Sequence, residues 1–201
     1  DGMYRIAVKL LPESRCGSAY MWTLQEGAQL SISDPDNHFE LFHGRPDYVL
    51  VAGGIGITPI YSMAMALYAK GVRFKLLYAA RSADDLAFAD EMRKLPGVTF
   101  ESFVADQGQR LDLAEAISRL ADGGELYVCG PIGMLEEARS EWSKSGRPLD
   151  GLRFETFGSS GRFPSAPFTV HLPMMDKSVE VARNQTILEA LEAAGIEAMF
   201  D

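Results

Sequence analysis

The stretch Asp-Tyr-Val-Leu-Val-Ala-Gly-Gly-Ile-Gly-Ile-Thr-Pro-Ile at residues 47–60 constrains this chain more than any other. Its apolar first half, bounded by turn residues, reads as a buried strand. Gly53, Gly54 and Gly56 then make a tight turn, and Thr58-Pro59 opens the next segment. Threonine suits a helix N-cap, and proline suits the first helical position, where its missing N–H costs nothing. Free backbone N–H groups at a helix start attract phosphate, and glycine lets a phosphate come close. A dinucleotide pyrophosphate site is therefore one reading of this turn. A plain tight turn in an α/β domain is the other.

From about residue 47 the pattern becomes βαβα. Residues 59–70 carry Ile60, Met63, Ala64, Leu67 and Tyr68 on one helical face, with Gly71 as a C-cap signal. Strands are expected at 73–80, 98–103, 125–129 and 152–157. Helices are expected between them: one starting at a capping-box-like Ser82–Asp85 and running to 95, one capped by Asp112 and Glu115, and one from Gly130-Pro131 to about Lys144. Such alternation implies a doubly wound parallel sheet with helices on both faces. Ahead of it, 4–9 and 29–33 alternate at the strand period, which suggests part of a β domain, with a helix conceivable only near 19–24. Behind it, 158–167 reads as a linker. A hairpin about 174–177 and a helix capped by Asn184 then suggest half of a β-grasp-like domain.

Bulk properties narrow the function. The chain has 201 residues, 47% hydrophobic and 23% charged, as in an ordinary globular protein. A net charge of -9 argues against general nucleic-acid binding. Two cysteines, Cys16 and Cys129, are too few for a disulfide framework or a four-cysteine metal site, and they point to a reducing, cytoplasmic setting. No run approaches the ~20 apolar residues that span a bilayer, and the opening residues lack a signal-peptide pattern. There is no P-loop and no Gly-x-Ser-x-Gly elbow. His38, His43 and His171 are scattered without ligand spacing.

Four further segments could carry chemistry. Cys129-Gly130-Pro131 is a second glycine turn at a strand end, so it could share one crevice with the first. Gly130 would let a flat ring lie on the backbone, with Cys129 beside the reacting centre; a core cysteine is the bland alternative. In Phe154-Glu-Thr-Phe-Gly158, an aromatic and a carboxylate could cover and polarise a ring, or simply alternate between core and surface. In Arg15-Cys-Gly-Ser18, Gly17 and Ser18 could hold a second phosphate, or form a simple loop. Arg81-Ser82 could reach an adenosine ribose. The neighbouring Asp84 and Asp85 would disfavour a 2′-phosphate, favouring NADH over NADPH, although both also suit a helix N-terminus.

In order along the chain, Ile6-Ala-Val-Lys9, Arg15-Cys-Gly-Ser18, Asn37-His-Phe39, residues 51–59, Cys129-Gly-Pro131 and Phe154-Glu-Thr-Phe-Gly158 resemble the ferredoxin–NADP⁺ reductase superfamily. Within it they resemble most the phthalate dioxygenase reductase family, which includes vanillate demethylase reductases. The resemblance implies the C-terminal part of a flavin-binding β-barrel at 1–44, an NADH-binding α/β domain at 45–157, a linker at 158–167 and the N-terminal part of a [2Fe–2S] ferredoxin-like domain at 168–201. It implies FMN contacts at Ala7, Val8, Lys9, Gly17 and Ser18, and NADH pyrophosphate contacts at Gly53, Gly54 and Gly56. Thr58 would lie between flavin and nicotinamide. Cys129, Gly130 and Pro131 would flank the nicotinamide, and Glu155 and Phe157 would lie near the flavin ring. Arg81 and Ser82 complete the expected cofactor-binding set, with Cys129 and Glu155 as the polar groups beside the transfer.

The expected function is electron transfer from NADH through FMN to a [2Fe–2S] cluster and an oxygenase component. The alternatives are a stand-alone flavin or ferredoxin reductase and a non-redox nucleotide-binding module. An S-adenosylmethionine methyltransferase would also use a glycine turn, but would leave Cys129-Gly-Pro131 unexplained. The family's Arg-x-Tyr-Ser flavin motif and its cluster cysteines have no counterpart in the sequence, so the chain is expected to be a middle section of a longer protein, unable as written to ligate the cluster.

Overall fold

Every residue of Tyr48–Gly53 is buried, and this strand, β1, is the centre of the fold. The structure, a computed structural model, describes residues 3–10, 17–157, 166–183 and 185–196. Two compact units divide the chain at Gly158 and Ser159.

In the first unit β1 leads through a 3-10 turn into helix α2 (Ile57–Ala69). Strand β2 (Lys75–Ala80), helix α3 (Ala89–Arg93), strand β3 (Thr99–Val104) and helix α4 (Leu113–Ser118) come next. Strand β4 (Glu125–Cys129), helix α5 (Ile132–Lys144) and strand β5 (Leu152–Glu155) complete it. Among the described residues the five strands form one sheet in the order β3-β2-β1-β4-β5, every pairing parallel. This is the doubly wound arrangement that the alternation predicts.

The period of two along β1 explains the two layers. Tyr48, Leu50 and Ala52 face a core with Ile57, Ile60, Met63, Ala64 and Leu67 of α2. Val49 and Val51 face the other way, onto Leu113, Ala116 and Ile117 of α4 and Ala138 and Trp142 of α5. Helix α2 ends as its sequence predicts: Gly71 takes φ +66° and its N–H donates to Tyr68 O at 2.9 Å. Asp112 caps α4 by accepting from Glu115 N at 2.9 Å.

Several local expectations need correction. Thr58 is not the N-cap of α2; the helix begins at Ile57, and the Thr58 hydroxyl donates to Ile55 O at 3.1 Å. Ser82–Asp85 does not form a capping box. The Ser82 hydroxyl donates to the Asp85 carboxylate at 3.1 Å, a 3-10 turn spans Ala83–Asp85, and α3 starts only after Phe88, whose φ is 62°. The strand expected to reach residue 157 stops at Glu155.

Residues 4–9 and 29–33 alternate in polarity but are not strands, because a strand exists only through a hydrogen-bonded neighbour and neither segment finds one among the described residues. A short helix α1 (Gly17–Thr23) occupies the region where only a marginal helix is expected, and Trp22 Nε1 donates to Val8 O at 2.9 Å.

In the second unit, β6 (Phe168–Leu172) and β7 (Lys177–Val181) form an antiparallel hairpin. Helix α6 (Ile187–Ala193) covers a small core of Val179, Val181, Ala190 and Ile196. Its cap is Thr186, in a full capping box with Glu189. The expected cap, Asn184, lies outside the described residues, as do Arg15 and Cys16.

Candidate functional site

The parallel sheet aligns every strand's carboxyl end along one edge, where ligands of such folds bind. Gly53 ends β1 and Cys129 ends β4, and the two turns touch backbone to backbone. A Cβ built on Gly130 would lie 3.0 Å from Gly53 Cα, and one on Gly53 would lie 3.1 Å from Gly130 Cα. A Cβ on Gly56 would fall 2.1 Å from the Cys129 carbonyl oxygen. Glycine is therefore needed at 53, 56 and 130 for packing. Gly54 differs: its φ is +54° and nothing lies within 4 Å of its Cβ direction, so it is the turn glycine open to an approaching group. The third strand end joins through Thr156, whose hydroxyl donates to Gly130 O at 3.3 Å.

Three clefts open around this edge. One, of about 520 Å³, lies between residues 5–7 and α2, with Ile6, Ala7, Thr58, Tyr61, Ser62, Met65 and Phe88 in its walls. A second, of about 560 Å³, runs along α2 at Pro59 and Ser62 and is bounded by Asn37-His38-Phe39 and Glu155. A third, of about 240 Å³, is lined by Ala79, Ala80, Phe103, Arg110, Pro131 and Met134. The first two have the size of small-molecule sites and share Ser62.

Residues 50–140 match the family described as the oxidoreductase NAD-binding domain. The chain is 37% identical over 195 residues to the heme-dependent oxidative N-demethylase beta subunit of Ectopseudomonas mendocina (strain ymp), covering 96% of this chain and 62% of that protein. It is 33% identical over 203 residues to phthalate dioxygenase reductase of Burkholderia cepacia, covering 96% and 62%. A solved structure of phthalate dioxygenase reductase, described as modular for electron transfer from pyridine nucleotides to [2Fe–2S], superposes with a TM-score of 0.73 at 32% identity, over 96% of this chain and 62% of that one. Homologues of this chain over most of its length include members of the phthalate dioxygenase reductase family. The chain spans roughly three fifths of the length of these relatives.

On this family frame the expected site residues fall into distinct places. Gly53, Gly54, Gly56, Thr58, Cys129, Gly130 and Pro131 share the sheet edge. Glu155 is the register partner of Cys129 on the adjacent strand. The Cys129 side chain is wholly buried. Burial, and secondly the charge of Glu155, push its thiol up to about 12, so it is neutral and no base. Ala7 lines the first cleft, while Val8 accepts the Trp22 bond and Lys9 pairs with Asp85 at 2.9 Å. Gly17 and Ser18 open α1. Phe157 is about half exposed beyond β5. Arg81 and Ser82 follow β2 and line none of the three clefts; the Arg81 carbonyl accepts from Asp106 N at 3.0 Å.

Two features escape sequence reading. Tyr78, fully buried in β2, places its hydroxyl 3.0 Å from both Gly54 O and Asp85 O, tying the glycine turn to the turn after β2. Burial raises its phenol to about 12. At the opposite edge, wholly buried Glu125 accepts from Arg45 Nε at 3.0 Å and from Tyr127 at 2.7 Å, with Arg153 Nε 3.5 Å away. Tyr127 in turn accepts from Phe42 N at 2.8 Å, so this network pins 42–45 to the sheet. A tyrosine or glutamate inside an apolar strand is the only sequence signal for either.

The residues fit a flat heteroaromatic ring and a pyrophosphate: the first cleft is walled by Ile6, Ala7, Met65 and Phe88, and Gly54 leaves its approach clear. They do not fit an iron–sulfur cluster. Such a centre needs four ligands, and no group of three or more His, Cys, Asp or Glu among the described residues is arranged to hold a metal ion.

Proposed function

We propose that this chain is the coenzyme-handling part of a reductase that passes electrons from NADH through FMN to a [2Fe–2S] centre and on to an oxygenase component in the cytoplasm, with no part for nucleic acid or membrane. None of the described helices is long and apolar enough to cross a membrane. The observation that supports the proposal best is the seating of Gly53 and Gly56 on Cys129-Gly130, which joins two strand-end turns at one edge.

In this reading residues 1–44 are the C-terminal part of the flavin-binding barrel, 45–157 bind NADH, 158–167 link, and 168–201 begin the ferredoxin-like domain. Gly54 faces the pyrophosphate, which the N-terminal dipole of α2 attracts. Gly53 and Gly56 act through packing. Gly130 and Pro131 flank the nicotinamide. Thr58 stands between the two rings. Ala7, Val8 and Lys9 back the flavin, with Gly17 and Ser18 toward its phosphate and Phe157 covering its ring. Arg81 and Ser82 serve the adenosine ribose. Exposed Asp84 repels a 2′-phosphate, whereas the charge of Asp85 is taken up by Lys9 and Ser82.

When bound, flavin supplies the acceptor for the nicotinamide hydride and the means to release two electrons singly. The protein's own work is positioning and exclusion of water, and it needs no acid or base. Cys129 contributes a soft neutral surface, and Glu155 a carboxylate beside it.

The test is an anaerobic titration of the full-length protein with NADH, followed in the visible spectrum. Loss of the flavin bands and then the iron–sulfur bands supports the proposal. Unchanged bands overturn it.

A further inference from the structure

Residues 5–9 have no strand partner among the described residues, yet they are held on the α/β domain at two points. Arg5 makes a forked contact with Glu91, Nη2 to Oε1 at 2.9 Å and Nη1 to Oε2 at 3.3 Å. Tyr61 donates to Glu91 Oε2 at 2.6 Å. The guanidinium also lies 4.8 Å from the Phe88 ring centre and 5.9 Å from that of Tyr61, and the two rings sit 4.7 Å apart. Four residues thus close on one another. Four residues along, Lys9 binds Asp85, whose second oxygen accepts from Ser82. Arg5 and Lys9 hold both carboxyls below the usual carboxylate range.

Phe88 has φ 62°, a left-handed backbone that a bulky side chain rarely adopts. Such outliers gather at functional sites when the surroundings enforce them. Here the unusual backbone delivers the ring to Tyr61 and Arg5 at the mouth of the cleft that also contains Ile6, Ala7 and Thr58.

We infer that Tyr61, Phe88 and Glu91 form a seat for Arg5 which, with the Lys9–Asp85 pair, clamps residues 5–9 onto Tyr61 and the segment from Asp85 to Glu91, and that Glu91 is thereby a positioning residue for transfer between coenzyme and flavin. The inference rests on the reading of this cleft given above. Neither Glu91 nor Phe88 belongs to the expected cofactor-binding set. The clamp is exposed, so salt screens it.

The test compares full-length wild type with Glu91→Gln, Arg5→Gln and the double variant. Amide hydrogen exchange over residues 3–10 should be at least roughly tenfold faster in each single variant, with no further gain in the double. Raising salt from about 0.05 to 0.5 M should speed exchange in wild type more than in the variants. The rate of flavin reduction by NADH should fall by about tenfold or more, because misplacement of about 1 Å at a reacting centre costs up to about a hundredfold. The melting temperature should hardly move. Exchange equal to wild type overturns the clamp, and faster exchange with an unchanged reduction rate overturns its positioning role. A wild-type protein that NADH does not reduce would sink the functional reading, whereas the exchange comparison would still decide the clamp.

Discussion

Substituting Gly56 by Ala tests the meeting of the two turns. The new methyl would lie 2.1 Å from the Cys129 carbonyl oxygen, 2.5 Å from its carbon and 2.9 Å from Gly130 N. A relaxed carbon–oxygen contact is about 3.3 Å. The start of α2 and the end of β4 must therefore separate by roughly 1 Å, and no flexible side chain is available to give way. Overpacking costs about 1–3 kcal/mol, and a purely backbone obstacle belongs at the upper end. For a chain of this size about 3 kcal/mol lowers the melting temperature by roughly 6–12 °C. In the proposed function the same 1 Å separates the groups assigned to the nicotinamide, and the rate of flavin reduction should fall up to about a hundredfold. Gly54→Ala is the control. Its Cβ meets nothing, so only the left-handed backbone is strained, at about 1 kcal/mol. Calorimetry of both full-length variants, and stopped-flow reduction of Gly56→Ala beside wild type, would check this. If Gly56→Ala melts within a degree of wild type, the backbone-to-backbone seat is not there.

Other outcomes depend on single groups. Tyr78→Phe removes the hydroxyl that serves the Gly54 and Asp85 carbonyls and should cost about 1–3 kcal/mol in urea unfolding; a loss below about 0.3 kcal/mol would contradict that tie. Glu125→Ala leaves Arg45 and Arg153 without their buried partner, and its loss should reach about 3–5 kcal/mol, a figure that a stable, fully folded variant would refute. Cys129 and Tyr78 are both raised to about 12 when folded, from ordinary values of 9.0 and 10.0. The unfolded chain loses these protons first, so their contribution is constant below pH 9 and falls as pH climbs toward 12. Cys129→Ala should flatten the alkaline decline of the urea midpoint; an identical decline would count against the buried thiol. The same variant should slow flavin reduction more than it weakens NADH binding, and equal stopped-flow rates would remove Cys129 from the transfer.

The sheet was legible because its signals are local. Buried runs at Tyr48–Gly53 and Glu125–Cys129 and the glycines after them announce strands, turns and their order. What was not legible depends on distant partners. Residues 4–9 carry a strand's alternation, but alternation says nothing about who supplies the ladder, and here ion pairs and the Trp22 bond hold them instead. A glycine-rich turn looks the same whether its glycines admit a phosphate or another backbone; only the approach of Gly130 separates Gly53 and Gly56 from Gly54. The interruption of the helix after Ser82 carries no sequence signal, because Phe88 is no usual left-handed residue. Tyr78 and Glu125 declare themselves only once neighbouring strands bring Gly54 and Arg45 within reach.

Hydrogen exchange across the full-length protein, with and without NADH under anaerobic conditions, tests most directly where the coenzyme sits. Protection concentrated at 53–60 and 129–135, with 45–48 and 121–125 at the other sheet edge unchanged, is the expected pattern. Protection at that other edge, or none at either turn, would contradict a nicotinamide coenzyme seated where β1 and β4 end.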